Sequence, residues 1–373
     1  MEFPKKITVI QTAIITASTI IGTGMLTIAR RTVEFGDTAA PLLTILGVLV
    51  AYLSVYVICR LGNWFSGKSI FQYSEDIIGK WLARFFSLLI IGYLAVLTAL
   101  YAREFGAVVR TTVLSETPLE VTTLAILIIV ALSVRNNITT FAYIHHFYFP
   151  LILAPALFIS AVSLKHANVL YLQPIIGNTP TNPMIGILLV AAMFQMSFIL
   201  TIVIPAMRET HQALKAATWG IIMGGGLYLI MVIATVAVFG SEEIKTLLWP
   251  TIELTRITTL PGEILQRLDA AFLAVWVTAV YTTIFSSYFL CIYGIKQLFR
   301  FRDHKMFSFL LLPFIFFISS LPRNIVEVYE LIKVVGMAGL IITLGYPCLL
   351  LVIAWVRKRK RKKGIGGSVD QYG

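Results

Sequence analysis

Two glycines on either side of a threonine, Gly22-Thr23-Gly24, are the residues of this chain with the clearest binding chemistry. They lie inside a long apolar stretch, and each glycine destabilises a helix by about 1 kcal/mol relative to alanine, so we expect the helix to break there. The break would free the backbone N–H groups of Thr23, Gly24 and Met25 at the positive end of a half-helix, which suits a carboxylate. Close helix packing through small residues explains the glycines equally well.

A second group of candidates consists of polar side chains in otherwise apolar stretches. Gln195 and Ser197 are surrounded by methionine and aromatic residues, a mixture that suits a small zwitterion carrying a side chain. Thr283 and Ser287 are four residues apart and would share one face of a helix. Core packing is the alternative for the first pair. Hydrogen bonds to the helix backbone or to a neighbouring helix are the alternative for the second.

Two ionisable residues, Glu104 and His145, lie within apolar stretches, where a charge is costly and function is the default explanation. A role for an ion or a proton is the functional hypothesis for each residue. Snorkelling of Glu104 to the membrane interface and a capping or interfacial role for His145 are the competing explanations. The sequence contains no glycine-rich phosphate loop, metal-ligand cluster or nucleophile–base pattern, so it predicts no enzyme, cofactor or metal site.

The composition is that of a membrane protein. Of 373 residues, 58% are hydrophobic and 13% are charged, whereas a soluble domain is about half apolar and about a quarter charged. The formal net charge is +12, but the basic residues lie between apolar runs rather than on one patch, which argues against nucleic-acid binding. Attraction to anionic lipid explains the charge better.

We predict an all-α, polytopic membrane protein with ten transmembrane helices, because a bilayer core of about 30 Å needs roughly 20 helical residues per span. The predicted spans are 7–30, 40–61, 82–112, 119–134, 138–163, 183–207, 213–239, 264–298, 306–321 and 332–356. With both termini in the cytoplasm, basic residues favour the cytoplasmic side by roughly two to one, in agreement with the positive-inside rule. Residues 1–356 would form a single transmembrane domain and residues 357–373 a basic cytoplasmic tail.

Two connecting segments have patterns typical of short helices. Ser69-Ile70-Phe71-Gln72 has the spacing of a capping box, which predicts an interfacial helix. The segment 241–263 begins with Ser241-Glu242-Glu243 and contains Pro250 and Pro261, which predicts a lid of two short helices. An ordinary solvated loop is the alternative for the second segment.

Several motifs spread along the chain resemble those of a known family. They are Ile21-Gly22-Thr23-Gly24-Met25-Leu26-Thr27, Tyr73 with Ile78-Gly79-Lys80-Trp81, Gly92-Tyr93, Pro205 with Glu209, Glu243-Ile244-Lys245-Thr246-Leu247-Leu248-Trp249-Pro250-Thr251, Val275-Trp276, Thr282-Thr283 and Gly294-Ile295-Lys296. The chain resembles the B subunit of spore germinant receptors, the GerAB-like proteins of the amino acid–polyamine–organocation superfamily. The string from Lys245 to Thr251 is the most specific. Family members commonly have proline where this chain has Ala29-Arg30.

This resemblance implies a leucine-transporter-like fold built from two inverted five-span repeats, at about 7–163 and 183–321, with broken helices one and six. It also implies a germination protein of the spore inner membrane that senses a small nutrient, usually an amino acid, with an A membrane subunit and a C lipoprotein as partners. The ligand pocket of that fold lies between spans one, three, six and eight. Carried onto this sequence, and with Met25 added from its amide, the ligand-binding residues are Gly22, Thr23, Gly24, Met25, Leu97, Tyr101, Phe194, Ser197, Leu200, Thr283 and Ser287.

Two other functions stay open from the residues alone. In an ion- or proton-coupled amino-acid permease, His145, Glu104 or the Thr283–Ser287 pair would serve the coupling ion. In a purely structural subunit, the pocket would be vestigial and substitutions in it would be silent unless they destabilised the fold. The pocket residues do not rank one small nutrient above another, because one methylene in a hydrophobic pocket is worth only about 1–3 kcal/mol.

Overall fold

The protein is described here by a computed structural model, which covers residues 6–177, 182–257, 268–301 and 303–366. Within these ranges the chain is almost entirely helical, and the single β pairing is an isolated bridge between Ile7 and Met207. The α-helices are α1 (Val9–Ile20), α2 (Gly24–Gly36), α3 (Ala40–Trp64), α4 (Ile70–Ile78), α5 (Lys80–Thr112), α6 (Leu119–Ser133), α7 (Ile138–Ser163), α8 (Pro183–Met193), α9 (Leu200–Val203), α10 (Ala213–Thr246), α11 (Pro250–Ile257), α12 (Leu268–Phe299), α13 (Lys305–Ser320), α14 (Ile325–Leu340) and α15 (Tyr346–Gly366).

The first predicted span consists of two half-helices, α1 and α2, and the predicted break is confirmed. Helix α1 begins at a capping box formed by Thr8 and Gln11 and ends at Ile20. The Gly22 N–H donates to the Ile20 carbonyl at 2.9 Å instead of continuing the helical pattern. Helix α2 then starts at Gly24. The glycines therefore have the local effect expected from their low helix propensity.

The sixth span is interrupted in a different way. Helix α8 ends at Met193, a 3₁₀ helix runs over Gln195–Ile199, and the short α9 follows at Leu200. This segment contains no glycine, so the chain tightens its helical pitch rather than unwinding into a loop. The prediction of a discontinuous sixth helix is confirmed, and the two interruptions lie in contact because the 3₁₀ helix packs against α1.

Seven helical stretches of the described chain are long and apolar enough to cross a membrane. They are Gly24–Trp64, Lys80–Thr112, Ile138–His166, Pro183–Ala206, Thr210–Thr246, Ala270–Phe299 and Ile325–Arg357. Three shorter apolar helices accompany them, namely α1, α6 and α13. The count of ten spans therefore stays a prediction, partly because the break leaves α1 with only 12 residues.

The last span begins earlier than the sequence interpretation placed it. We predicted a start near residue 332, but α14 starts at Ile325, where the Asn324 side chain accepts the Glu327 N–H at 2.9 Å. An asparagine at this position is a strong helix start signal. The predicted span was placed without taking this cap into account. As a result α14 contributes two more turns to the interior of the protein, and Ile341–Gly345 continue it as a π-helix.

The two connecting segments have the predicted short helices. Ser69 and Gln72 form the capping box of α4. Gly240 adopts φ 73°, a conformation that suits glycine, and turns the end of α10 into a separate helical segment that runs to Thr246. Helix α11 follows, and together these parts of residues 241–257 are called the lid below. Pro261 and the rest of the predicted second lid helix lie outside the described residues, as do the side chains of the basic tail beyond residue 357.

Candidate functional site

A cavity of about 40 Å³ lies beside the break in the first span. Six elements surround it: the two half-helices α1 and α2, α5, the end of α8 with its 3₁₀ continuation, α12 and α14. The lining residues are Thr19, Ile20, Thr23, Gly24, Thr27, Arg31, Tyr101, Glu104, Leu189, Ala192, Met193, Gln195, Met196, Thr283, Tyr329, Ile332, Lys333 and Gly336. This volume is enough to hold water, and the wall carries both polar and apolar groups.

Hydroxyl groups from neighbouring helices satisfy the carbonyls at the end of α1. Thr282 donates to the Ser18 carbonyl and Thr283 to the Thr19 carbonyl, each at 3.1 Å. Tyr228 of α10 donates to the Ile20 carbonyl at 2.6 Å. A helix C-terminus leaves such carbonyls without partners, and a membrane interior offers no water to supply them. These three hydroxyls therefore explain how the break is tolerated.

The two glycines of the break have different surroundings. A Cβ built on Gly22 would overlap the Thr283 side chain, so Gly22 is required for close packing of the break against α12. Gly24 lines the cavity, and a Cβ there would lie 2.6 Å from the Tyr228 hydroxyl oxygen. Both glycines therefore allow close packing, Gly22 against Thr283 and Gly24 against Tyr228, and Gly24 in addition lines the cavity.

The start of α2 is tied to the lid. Met25 is fully buried, and its N–H points to the Gly22 carbonyl at a long 3.4 Å. Its carbonyl accepts the Thr251 hydroxyl of α11 at 2.8 Å. The N–H groups of a first helical turn have no acceptor within their own helix, so the Thr23–Gly24 end of α2 presents a partial positive charge to the cavity.

The polar wall opposite the break is built around Gln195. The Tyr93 hydroxyl donates to the Gln195 side-chain oxygen, and the Gln195 side-chain nitrogen donates to the Tyr101 hydroxyl at 3.4 Å. Two tyrosines of α5 therefore hold the amide in one orientation. Gln195, rather than the predicted Ser197, provides the polar group of this segment at the cavity, because the 3₁₀ pitch turns a different side chain inward.

A buried carboxylate closes the lid side of the cavity. Glu104 is 2% exposed and interacts with the hydroxyls of Thr23 and Tyr329 and, at longer range, with Arg31. The Arg31 guanidinium donates to the Tyr329 carbonyl at 3.0 Å and lies 5.4 Å from the centre of that ring. The Trp249 indole of the lid donates to the Tyr329 hydroxyl at 2.6 Å. Tyr329 therefore links the lid to the cavity.

A second cavity, of about 100 Å³, lies on the lid side of the first. It shares Thr27, Arg31 and Tyr329 with the first cavity, and its remaining lining includes the lid residue Leu248. The Arg31–Tyr329 contact thus stands between the two spaces. A small molecule moving from the lid into the inner cavity would have to displace these two side chains.

The structure brings five of the predicted residues to the cavity and leaves the others in the surrounding core. Thr23, Gly24, Tyr101, Thr283 and Glu104 line the cavity. The predicted residues that do not line it are Gly22, Met25, Leu97, Phe194, Ser197, Leu200, Ser287 and His145.

Packing and hydrogen bonding account for the residues outside the lining. The Phe194 ring meets the Tyr228 ring edge to face, with centroids 5.7 Å apart. Ser287 accepts a hydrogen bond from Thr98 at 2.8 Å and so joins α12 to α5. Leu97 and Leu200 are fully buried in the core.

His145 belongs to a separate cluster on the other side of the break. Its Nδ1 atom lies 2.6 Å from the Ser18 hydroxyl and its Nε2 atom 3.2 Å from the Ser286 hydroxyl. The ring packs between Phe141 and Phe285. The histidine is fully buried and joins α7 to α1 and α12.

Sequence reasoning missed the contribution of α14. Tyr329, Ile332, Lys333 and Gly336 all line the cavity, and their spacing puts them on one face of a helix. The Asn324 cap followed by this face was the signal that could have identified them. Among the described residues, no group of three His, Cys, Asp or Glu side chains could hold a metal ion.

Comparison with known families gives one match across most of the chain. Residues 6–328 match the family described as "Spore germination protein". Spore germination protein YndE of Bacillus subtilis (strain 168) is 28% identical, covering 96% of this chain and 98% of that protein. Spore germination protein B2 of the same organism is 25% identical over 95% and 96%. Spore germination protein GerLB of Bacillus cereus is 21% identical over 92% of each.

Solved structures of transporters share the fold. A Na⁺-coupled sialic acid symporter in a substrate-bound outward-open state superposes with a TM-score of 0.66 at 11% identity, covering 91% of this chain and 78% of that one. A manganese transporter from Eremococcus coleocola gives 0.65 at 12% identity, over 92% and 78%. At this identity the likeness concerns the fold alone, and the prediction of a leucine-transporter-like architecture is confirmed.

Proposed function

Because the chain belongs to the spore germination protein family, we propose that it is the nutrient-sensing B subunit of a germinant receptor. It binds a small nutrient, an amino acid being the simplest case, in the cavity beside the break of the first span. An A membrane subunit and a C lipoprotein respond to the conformational change that ligand binding causes. The protein lies in the spore inner membrane with both termini in the cytoplasm, so the lid faces outward.

The observation that carries this proposal is the cavity at the exposed start of α2. A carboxylate is favoured where the first N–H groups of a helix point at it, and Thr23 and Gly24 at the start of α2 both line the cavity. Tyr101, Gln195 and Thr283 supply neutral hydrogen-bonding groups around the same space, and Ile20 and Met196 supply apolar surface. A volume of about 40 Å³ holds only a few water molecules, so the cavity has to widen when it binds an amino acid.

Signalling follows from unequal binding to two arrangements of the helices. A ligand shifts a conformational equilibrium only by as much as its affinity differs between the two states. The start of α2 is bonded to the lid through Thr251, and Tyr329 is bonded to the lid through Trp249. A ligand that contacts α2 would therefore favour the arrangement in which the lid is closed.

A glycine substitution with a matched control tests the proposal. Gly24→Val should fill the cavity at the start of α2 and abolish nutrient-triggered germination of spores that carry the variant at the normal protein level. Gly226→Val is the control, because a Cβ at Gly226 of α10 meets open space. Its spores should respond normally. A normal nutrient response with stable Gly24→Val protein would overturn the proposed site.

An ion- or proton-coupled permease is the second candidate, favoured by the fold shared with a Na⁺-coupled symporter. Purified protein in sealed vesicles distinguishes the two functions. Saturable amino-acid uptake that depends on an imposed sodium or proton gradient would favour the permease. Binding without uptake, together with loss of the germination response when either partner subunit is deleted, would favour the receptor.

A further inference from the structure

The Glu104 carboxylate has an unusual environment for a buried charge. It lines the cavity and is 2% exposed. Its close partners are neutral hydroxyls, those of Thr23 and Tyr329. Among the described residues, no lysine, arginine or histidine nitrogen lies within 4.0 Å of this carboxylate. A buried carboxylate is strongly disfavoured unless an opposite charge completes its coordination.

The two cations nearest to this region are occupied elsewhere. The Arg31 guanidinium is held by the carbonyl and the ring of Tyr329. The Lys333 ammonium lies over the Phe35 ring, 5.2 Å from its centre. Both side chains line the cavity, but their charged groups have partners other than Glu104. The cavity therefore contains a buried carboxyl group that is contacted by hydroxyls and on which Arg31 acts only at longer range.

We propose that Glu104 accepts the ammonium group of the ligand, so that this one side chain distinguishes a primary amine from a hydroxyl group at the same position of the ligand. This inference rests on the proposed function and specifies its ligand class. An ammonium group offers three donors and forms charge-assisted hydrogen bonds with a carboxylate. The ligand carboxylate lies at the Thr23–Gly24 end of α2, so one zwitterion satisfies both the helix terminus and Glu104.

The same geometry rejects related molecules. A hydroxy acid would bring a second carboxylate near Glu104 without a cation to offset it, and two neighbouring carboxylates repel each other. The repulsion acts against the wrong ligand, and such unfavourable contacts often set specificity. Discrimination therefore comes from the charge of the amine as much as from the shape of the cavity.

Matched ligands and variants test this assignment. The purified full-length chain in nanodiscs is titrated with L-alanine, L-valine and L-asparagine, and with the α-hydroxy acid that corresponds to each. We expect at least one amino acid to bind, and its hydroxy acid to bind at least about a hundredfold more weakly, as expected when a buried charge loses its partner. Glu104→Gln should weaken binding of the amino acid by a similar factor and strengthen binding of the hydroxy acid, because the repulsion between the two carboxylates is removed.

A control variant separates this effect from a loss of folding. Glu120→Gln removes a carboxylate from the neighbouring helix α6 at a position 59% exposed, and it should bind the amino acid like the unmodified chain. The thermal unfolding midpoints measured without ligand identify any variant that fails to fold. Glu104→Asp retains the negative charge, and it should bind the amino acid more tightly than Glu104→Gln does.

Three outcomes would overturn the inference. The first is a hydroxy acid that binds as tightly as its amino acid. The second is Glu104→Gln protein that retains full amino-acid affinity, as expected if Glu104 is protonated in the complex and serves a proton instead. Either result leaves the proposed site standing. The third is the absence of binding by every probe in the set, which would remove the proposed function together with the ammonium assignment.

Discussion

The two sides of the break in the first span differ in how completely their polar groups are partnered. On the α1 side, Ser18, His145 and Ser286 form a closed cluster in which the imidazole has a hydroxyl at each nitrogen. On the α2 side, Glu104 borders a cavity and has only hydroxyl partners in contact. Buried polar groups in proteins are normally satisfied. The α1 side therefore serves the fold, and the α2 side, which borders the cavity, is the proposed ligand site.

Among the substitutions that test this comparison, Gly22→Ala should have the largest effect on stability. Gly22→Ala inserts a methyl group into the Thr283 side chain, and overpacking of this kind costs about 1–3 kcal/mol. We expect a clear fall in the thermal unfolding midpoint in detergent, whereas Gly226→Ala should leave it nearly unchanged. An unaltered midpoint for Gly22→Ala would mean that the break does not depend on this contact with α12.

His145 tests the α1 side with a smaller expected effect. His145→Leu removes two hydrogen bonds and part of the ring packing, and polar contacts between membrane helices are worth about 0.6 kcal/mol on average and up to about 1.7 kcal/mol. Ser18 and Ser286 keep their own bonds to backbone carbonyls. The variant should be less stable by about 1–2 kcal/mol, with unchanged nutrient affinity. A selective loss of affinity at unchanged stability would contradict the division between the two sides.

Replacing Tyr329 should have the smallest effect, and it tests the α2 side of the break. Tyr329→Phe keeps the ring under Arg31 but removes the hydroxyl that joins Trp249 to Glu104. The loss corresponds to about 0.6 kcal/mol per hydrogen bond. We expect faster nutrient association and dissociation in stopped-flow binding, because the lid loses one of its hydrogen bonds to the rest of the protein. Trp249→Phe should reproduce the change, and different behaviour of the two variants would show that the indole acts independently of Tyr329.

The sequence predicted the fold and the position of the break because both depend on local properties. Apolar run length sets the spans, and the Gly22-Thr23-Gly24 string lowers helix stability wherever it is placed. The capping box at Ser69 likewise acts within four residues. Each of these signals can be read without knowing which helices become neighbours.

The composition of the cavity wall depends on tertiary contacts and was predicted only in part. The choice between Gln195 and Ser197 is decided by the 3₁₀ pitch after Met193, and no glycine or proline immediately precedes that change. Tyr329 lay outside the predicted span 332–356 and Lys333 near its start, and neither was predicted to line the pocket. Ser287 matched the expected chemistry, but it pairs with Thr98 of an adjacent helix.

The hydrogen bond from Thr251 to the Met25 carbonyl has a consequence for how nutrient preference can change. Thr251 does not line the cavity. Its hydroxyl is nevertheless bonded to α2, the half-helix whose first residues line the cavity. In the proposed receptor, a substitution in α11 would therefore tilt that half-helix and alter which nutrients trigger germination while every cavity residue stays the same. Selections for altered germination will be incomplete if they randomise the cavity wall and omit residues 250–257.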